Sequence, residues 1–427
     1  TDAFWLGKLS KEALAAVTFA FPVVFFLISL GMGLAVAGTI LVAQNEGRGR
    51  RDRVDFAASQ TVTFSVLASL VIGTLGYAAS GTIMRLMGAA PDVHPLATGY
   101  LQIVSTGIFF IFGFAVFISL LRGYGDTVTP MLLMFGSVAL NIALDPFIIF
   151  GWSAFPALGV QGAAIATVFS RGVAALAGLA ILLSGWKGIQ ISLREMVPDP
   201  AFLRRMLKLG VPASVEGTGR SLSVNLIVAI VGTFSTAVVS GYGVGIRVFS
   251  LIFLPAMAVG KGVETMTGQN VGVERFERVE EANGLAARTM FILQSIIGVL
   301  VFLFPGPVVA AFSAEPGVVA AGSEFLRYVA LTFGFIGVLR AYTGGLRGAG
   351  RTVAAAAISV ATLGLIRLPL AYFGSTLYGP TGVWIAFPFS NVAGAVLAYL
   401  WFRRGTWRKS VVEERPVEES VEGYEPV

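Results

Sequence analysis

The chain has 427 residues, of which 56% are apolar and only 13% are charged, and its mean hydropathy is +0.81. A soluble domain averages about 25% charged residues, so this composition excludes a soluble enzyme as well as a disordered chain. There is no cysteine, and His94 is the single histidine, which excludes disulfides and thiol nucleophiles and disfavours a histidine-based metal site. The formal net charge is +6, and its meaning depends on where the charges lie. We predict an all-α integral membrane protein with many spans.

Eleven long apolar runs, separated by charged or Gly/Pro-rich breaks, predict membrane-spanning helices. In chain order they cover 12–43, 54–83, 95–121, 128–151, 159–184, 207–231, 236–268, 284–313, 318–346, 352–375 and 379–402. Residues 1–7 have the composition of the end of one more span. The polar segment 185–206 is predicted to be a connector between two lobes. The acidic tail 405–427 lacks apolar periodicity and is predicted to be disordered.

Basic residues are concentrated in the breaks on one side of the predicted membrane. They are Arg48, Arg50, Arg51, Arg53, Arg122, Lys187, Arg194, Arg204, Arg205, Lys208, Arg275, Arg278, Arg347, Arg351, Arg403, Arg404, Arg408 and Lys409. Lys and Arg are retained on the cytoplasmic face of a membrane. We therefore predict a multi-pass plasma-membrane protein with these breaks and the C-terminus in the cytoplasm.

The two halves of the chain repeat each other. The matching pairs, at offsets between 220 and 225 residues, are Gln44 with Gln269, Asn45 with Asn270, Arg122 with Arg347, Pro146 with Pro369, and Gly159 with Gly379. Several matches in one order predict a duplication of about six spans, with a pseudo-two-fold axis along the membrane normal. The lobes would be 1–184 and 207–404. Residue 1 then matches residue 226, inside a span, so we expect the sequence to begin within the first of twelve helices.

Several segments are similar to those of multidrug and toxic compound extrusion (MATE) transporters. They are DAFWLGKLSKEALAA (2–16), LRGYGDTVTPM (121–131), NIALDPFIIFG (141–151), LGVQGAAIAT (158–167) and GQNVG (268–272). The resemblance covers the whole chain and implies twelve helices in two pseudo-symmetric six-helix bundles with a V-shaped cavity between them. It also implies alternating access and export driven by an inward H⁺ or Na⁺ gradient, with amphipathic organic cations as typical substrates.

Ionisable residues inside apolar spans are costly, so they suggest a function. Asp2 and Asp145 lie at similar depth in the outer half of the membrane, and Asn141 lies one helical turn before Asp145. Pro146 cannot donate a hydrogen bond, which frees the carbonyl of Ile142. We predict that Asp2, Asn141 and Asp145 bind the coupling H⁺ or Na⁺, as the resemblance also implies. The alternative is structural: Asp145 caps a broken helix, Asn141 bonds across helices, and Asp2 reaches water.

The second half has Ile227 and Leu368 where the first has Asp2 and Asp145, so the predicted ion site belongs to the first lobe. The second half instead carries other charges within its spans, namely Glu216, Arg220, Arg247, Lys261, Glu264, Arg340 and Arg367. Their spacing predicts ion pairs between Glu216 and Arg220 and between Lys261 and Glu264. Five basic against two acidic residues leave a net +3, and a wall of that sign attracts anions. The residues predicted to line the substrate cavity are Glu216, Arg220, Arg247, Glu264 and Arg367.

These observations predict a secondary antiporter that exports small, multidrug-like organic compounds in exchange for H⁺ or Na⁺. Two alternatives within transport are a lipid-linked oligosaccharide flippase of the same superfamily and an exporter of a specific anionic metabolite. An enzyme is not expected, because the sequence has no HExxH or GxSxG motif, and no P-loop supports ATP hydrolysis. We expect no cofactor or metal besides the coupling ion, no nucleic-acid partner, and a monomer in the lipid bilayer.

Overall fold

A computed structural model describes residues 2–152 and 156–411. All regular structure in these ranges is helical. The helices are α1 (Asp2–Leu9), α2 (Lys11–Gly47), α3 (Arg51–Leu86), α4 (His94–Thr106), α5 (Ile108–Tyr124), α6 (Val128–Phe150), α7 (Gly159–Ser184), α8 (Pro200–Val231), α9 (Thr236–Gly272), α10 (Phe276–Leu303), α11 (Pro305–Ala310), α12 (Pro316–Ala330), α13 (Phe333–Gly348), α14 (Thr352–Val360), α15 (Leu368–Tyr378) and α16 (Pro380–Arg403). A 3₁₀ turn covers Leu193–Met196, and a π-helical segment, Ala361–Arg367, joins α14 to α15.

Eight of the spans in the described ranges are each long and apolar enough to cross a membrane, and two bent helix pairs raise the number to ten. The pairs are α4–α5, bent by 49°, and α12–α13, bent by 52°. Each occupies the same place in its lobe, so the repeat includes this break. With α1 and the more polar α8, the helices form the twelve-span, two-lobe fold that the sequence predicts, six helices to a lobe.

The connector between the lobes is shorter than the predicted 185–206, because α8 begins at Pro200. Proline suits the first turn of a helix, where its missing N–H has no partner to lose. The Asp199 side chain caps this helix by accepting the backbone N–H of Ala201 at 2.8 Å. The first turns of α8, including Phe202 and Met206, pack in the core of the first lobe. The two lobes therefore share buried surface where the chain crosses between them. The acidic tail predicted to be disordered lies beyond Val411, outside the described residues.

The turn before α6 is held by Asp126, within the segment 121–131. Its carboxylate accepts the backbone N–H groups of Val128 and Thr129 at 2.9 and 3.0 Å, and the Thr129 hydroxyl at 2.6 Å. Burial acts to raise the pKa of Asp126, but the hydrogen bonds from Thr129 and Val128 outweigh it and lower the pKa on balance. The charged form thus stabilises the start of α6.

Within the described residues, most of the hydrogen bonds that join the lobes lie at the end of the bundle that carries the basic breaks. Gln44 Nε2 donates to the Gly348 carbonyl at 3.0 Å, and Arg48 Nε donates to the Gly272 carbonyl at 3.0 Å. Nearer the middle of the helices, Ser29 bonds Thr218 at 3.0 Å. A Cβ added at Gly210 would lie 2.7 Å from the Gly33 carbonyl oxygen, so the two helix backbones are in direct contact there. A cavity of about 450 Å³ lies beyond these contacts, toward the opposite end.

Candidate functional site

A cluster of polar side chains lies inside the first lobe, where α1, α4, α6 and α7 meet. Asp2 Oδ2 accepts the Thr167 hydroxyl at 3.0 Å and the Tyr100 hydroxyl at 3.4 Å. Asn141 Nδ2 donates to Asp145 Oδ1 at 3.1 Å and to Thr167 Oγ1 at 3.3 Å. Thr167 thus connects the two halves of the cluster, and the structure brings Asp2, Asn141 and Asp145 together. We call these five residues the acid cluster.

The geometry of α6 explains part of this arrangement. Asn141 and Asp145 are four residues apart, so they share one face of the helix. Asp145 is fully buried, with 0% of its surface exposed. Helix α6 continues through Pro146 to Phe150, so Asp145 does not cap a broken helix as the structural alternative requires. Burying a carboxylate in this environment is costly unless a proton, a cation or hydrogen bonds compensate its charge.

Sequence reasoning missed Thr167 and Tyr100. Thr167 ends the segment 158–167 that is similar to MATE transporters, and it is a polar residue in an apolar run. That signal could have identified it. Tyr100 belongs to α4, and only the bend between α4 and α5 and the packing of α4 on α7 place its hydroxyl near Asp2.

A second polar group, buried in the second lobe, joins α8, α9 and α13. Arg347 Nη1 donates to both carboxylate oxygens of Glu216 at 2.9 Å, and Arg347 Nε donates to Glu264 at 3.2 Å. Lys261 Nζ lies 2.9 Å from Glu264 Oε2, so the pair predicted from its spacing is confirmed. Ser359 donates to Glu216 at 2.9 Å. We call Glu216, Lys261, Glu264 and Arg347 the buried ion network.

One prediction about these charges, the ion pair between Glu216 and Arg220, is wrong. Glu216 forms its ion pairs with Arg347 and, at 3.9 Å, with Arg340, whereas the Arg220 guanidinium lies over the Phe253 ring. Arg347 lies in the last turn of α13, beside one of the basic breaks, and is only 8% exposed.

The burial of Arg347 results from the close packing of α9 and α13. Glycines at Gly260, Gly344 and Gly348 let the two backbones approach so closely that an added Cβ would not fit. This approach sets the last turn of α13, with Arg347, against Glu264 on α9.

The cavity of about 450 Å³ lies mainly in the second lobe and is closed on one side by α2. Three arginines line it, Arg220, Arg340 and Arg367, and most of the remaining wall is aromatic or aliphatic. Of the residues predicted to line a substrate cavity, Arg220 and Arg367 do so. Glu216 and Glu264 lie behind the wall in the buried ion network, and Arg247 is exposed on α9, outside the lining.

Comparison with known proteins assigns the family. The MatE family model matches residues 1–147 and 212–373, more than half of the chain. The chain belongs to the MatE family. Members of this multidrug efflux family are membrane transporters of small molecules, and this MatE protein has the multi-span helical architecture that such transport requires.

Individual relatives agree with the assignment. A Bacillus subtilis protein named probable multidrug resistance protein YpnP is 31% identical over 411 residues, covering 95% of this chain and 90% of its own. A Shewanella oneidensis protein named FAD transporter is 27% identical over 405 residues, covering 94% of this chain and 89% of its own. The solved structure of the Vibrio cholerae MATE transporter VcmN in the bent form shares the fold with a TM-score of 0.87 at 22% identity, covering 94% of this chain and 91% of its own.

Proposed function

We propose that this MatE transporter is a secondary antiporter that exports small organic compounds in exchange for H⁺ or Na⁺ bound at Asp2, Asn141 and Asp145. The acid cluster is the observation that carries this proposal. Two carboxylates, an amide and two hydroxyls converge there from four helices. Oxygen donors of this kind suit a proton or a hard monovalent cation, and a bound ion compensates the buried charge of Asp145.

The contact pattern between the lobes supports alternating access. The lobes are hydrogen bonded at the end with the basic breaks, through Gln44 with Gly348 and Arg48 with Gly272, and the positive-inside rule places this end in the cytoplasm. The structure is then closed to the cytoplasm, and its cavity faces outward. The outward- and inward-facing arrangements can bind the ion with different affinity. An ion that neutralises the acid cluster therefore changes their relative stability. That difference couples ion entry to export.

Ion binding can be tested without knowing the substrate. We would titrate Na⁺ into the purified protein by calorimetry and record proton release with a pH indicator. Asp145→Asn is expected to weaken or abolish whichever binding the protein shows, because it removes the buried charge. The matched control is Asp92→Asn, which removes an exposed acid in the loop before α4.

The same variants are then compared in proteoliposomes with a proton gradient and a sodium gradient imposed separately, using a panel of cationic and anionic fluorescent compounds. Gradient-driven export should fall at least tenfold in Asp145→Asn and persist in Asp92→Asn. If Asp145→Asn binds the ion and exports as well as the unmodified protein, the assignment of the acid cluster is wrong.

The remaining parts of the proposal restate what the sequence predicts. We propose a plasma-membrane location with a cytoplasmic C-terminus, a monomeric transporter that is not an enzyme, and no cofactor or nucleic-acid partner besides the coupling ion. Of the two alternatives within transport, the exporter of an anionic metabolite has a specific observation in its favour. The Shewanella oneidensis relative is named for FAD, a molecule with an anionic pyrophosphate, and the cavity of the present protein is lined by arginines.

A further inference from the structure

The cavity in the second lobe occupies the place that the acid cluster occupies in the first. The offsets of the sequence repeat pair Asp2 with Ile227, and Thr167 with Phe387. Both Ile227 and Phe387 line the cavity. Asp145 pairs with Leu368, whose neighbour Arg367 also lines it. The duplicated fold therefore places the acid cluster of the first lobe and part of the cavity lining of the second at equivalent positions, and the charge of the polar groups is reversed between them.

Arg367 is buried among neutral partners. Its Nε donates to Ser390 Oγ at 2.7 Å and its Nη2 to Asn391 Oδ1 at 2.7 Å, while the guanidinium lies 4.5 Å from the centre of the Phe387 ring. The residue is 9% exposed, and no carboxylate of the described residues forms an ion pair with it. The π-helical segment that ends at Arg367 directs this turn into the cavity, a geometry that is often found at functional sites.

The other two arginines share one ring. The guanidinium of Arg340 lies 4.6 Å from the centre of Phe253, and that of Arg220 lies 5.6 Å from it. The one ion pair of Arg340 in the described part of the chain is a long contact of 3.9 Å to Glu216. That carboxylate is already held by Arg347 at 2.9 Å. One acid therefore serves two arginines, and the cavity wall keeps an excess of positive charge.

The rest of the lining sets the shape of a ligand. The described lining residues include no Asp or Glu, but they contribute six aromatic rings, Phe21, Phe25, Tyr242, Phe249, Phe253 and Phe387. Guanidinium groups bind carboxylate, sulfonate and phosphate oxygens through paired hydrogen bonds. Aromatic walls bind a flat apolar body. A cation here would face three arginines at close range, whereas an anion would compensate the charge of Arg367 and the excess positive charge left on Arg340 and Arg220.

We propose that this cavity binds aromatic organic anions, with Arg340 and Arg367 holding the anionic group and the phenyl rings holding the aromatic body. The proposal rests on the proposed function, because it names the class of compound that the antiporter exports. It assigns the ion to the first lobe and the exported anion to the second.

A matched pair of dyes tests the proposal. Carboxyfluorescein and rhodamine 123 share a xanthene core and differ in the sign of their charge. Binding to the purified full-length protein in nanodiscs is measured by fluorescence anisotropy. We expect carboxyfluorescein to bind at least tenfold more tightly than rhodamine 123. Arg367→Gln should weaken carboxyfluorescein binding at least tenfold without weakening rhodamine 123, and Arg367→Lys should recover part of the loss.

The control variant is Arg247→Gln, which removes an exposed arginine outside the cavity lining and should change neither affinity. Thermal unfolding of each variant separates a lost site from a lost fold. The proposal is overturned if rhodamine 123 binds as tightly as carboxyfluorescein, if neither dye binds, or if Arg367→Gln behaves like Arg247→Gln.

Na⁺ and H⁺ binding at the acid cluster is recorded on the same Arg367→Gln sample. Its persistence with loss of carboxyfluorescein supports both assignments. If Asp145→Asn leaves ion coupling unchanged, the proposed function is overturned. If the same variant still binds the dye, the anion site is supported independently of that function.

Discussion

Removing the buried Arg347 should destabilise the protein far more than removing an exposed arginine, even one whose ion pair is shorter. Arg347 is 8% exposed and holds two buried carboxylates, Glu216 at 2.9 Å and Glu264 at 3.2 Å. Breaking a buried pair by deleting one partner costs about 3–5 kcal/mol, because the remaining charge stays buried without compensation. Arg347→Met keeps much of the side-chain volume, so the measured loss reflects charge rather than a void.

The chain offers a matched control in the pair between Arg408 and Glu280. This contact is shorter, at 2.6 Å, but the two side chains are 50% and 48% exposed. Water screens such a pair, and its contribution is about 0–1 kcal/mol. If distance governed the energy, Arg408→Met would be the more damaging substitution. If burial governs it, Arg347→Met is.

The assay is thermal unfolding of the purified protein in detergent, followed by tryptophan fluorescence. For a cooperative unit of about 150–250 residues, 1 kcal/mol shifts Tm by about 2–4 °C. We therefore expect a fall of roughly 6–20 °C for Arg347→Met and at most about 4 °C for Arg408→Met. Adding Glu216→Gln to Arg347→Met should recover part of the loss, since one uncompensated carboxylate disappears. Equal Tm values for the two single variants, or no recovery in the double variant, would refute this reasoning.

Two further predictions concern the lobe contact and the start of α6. Gly210→Leu should push the lobes apart, because a Cβ there would lie 2.7 Å from the Gly33 carbonyl oxygen, whereas Gly136→Leu should not, since nothing lies within 4 Å. Spin labels on the α2–α3 and α9–α10 turns, in this cysteine-free chain, measure the separation, and an unchanged distance in Gly210→Leu counts against direct contact. Asp126→Ala should cost about 0.5–2 kcal/mol near neutral pH. The pKa of Asp126 is lowered in the folded protein, so its stabilisation is present above the ordinary pKa of 3.8 and is lost as the pH falls further. If the Tm difference between the unmodified protein and Asp126→Ala persists in acid, the Asp126 carboxylate does not hold the start of α6 in this way.

The polar groups of the two lobes differ in charge although their spans carry a matching proline. Asp145 precedes Pro146 in one lobe, and Arg367 lies two residues before Pro369 in the other. The two charged residues are not repeat partners, since Asp145 pairs with Leu368. The duplication has therefore kept the proline and not the charged residue beside it.

Composition, the internal repeat and the spacing of residues along single helices were enough to predict several features correctly. The excess of apolar residues required a membrane, because no soluble core could bury them. The repeat required two lobes of like topology. On a single helix, spacing alone decides which side chains can meet, as for Asn141 with Asp145 and for Lys261 with Glu264.

Contacts between helices could be decided only by tertiary structure. The sequence pairs Glu216 with Arg220, since they are one turn apart, but rotation of α8 and the glycine contacts between α9 and α13 bring Arg347 to Glu216 instead. Packing likewise buries Arg347 and exposes Arg247, so the interior of the second lobe still carries five basic and two acidic groups, with one arginine exchanged for another. Helix periodicity determines which residues share a face, whereas the direction of each face depends on neighbours that are distant in the chain. The excess of basic residues could therefore be counted from the sequence, but the position of the cavity that some of them line could not be predicted.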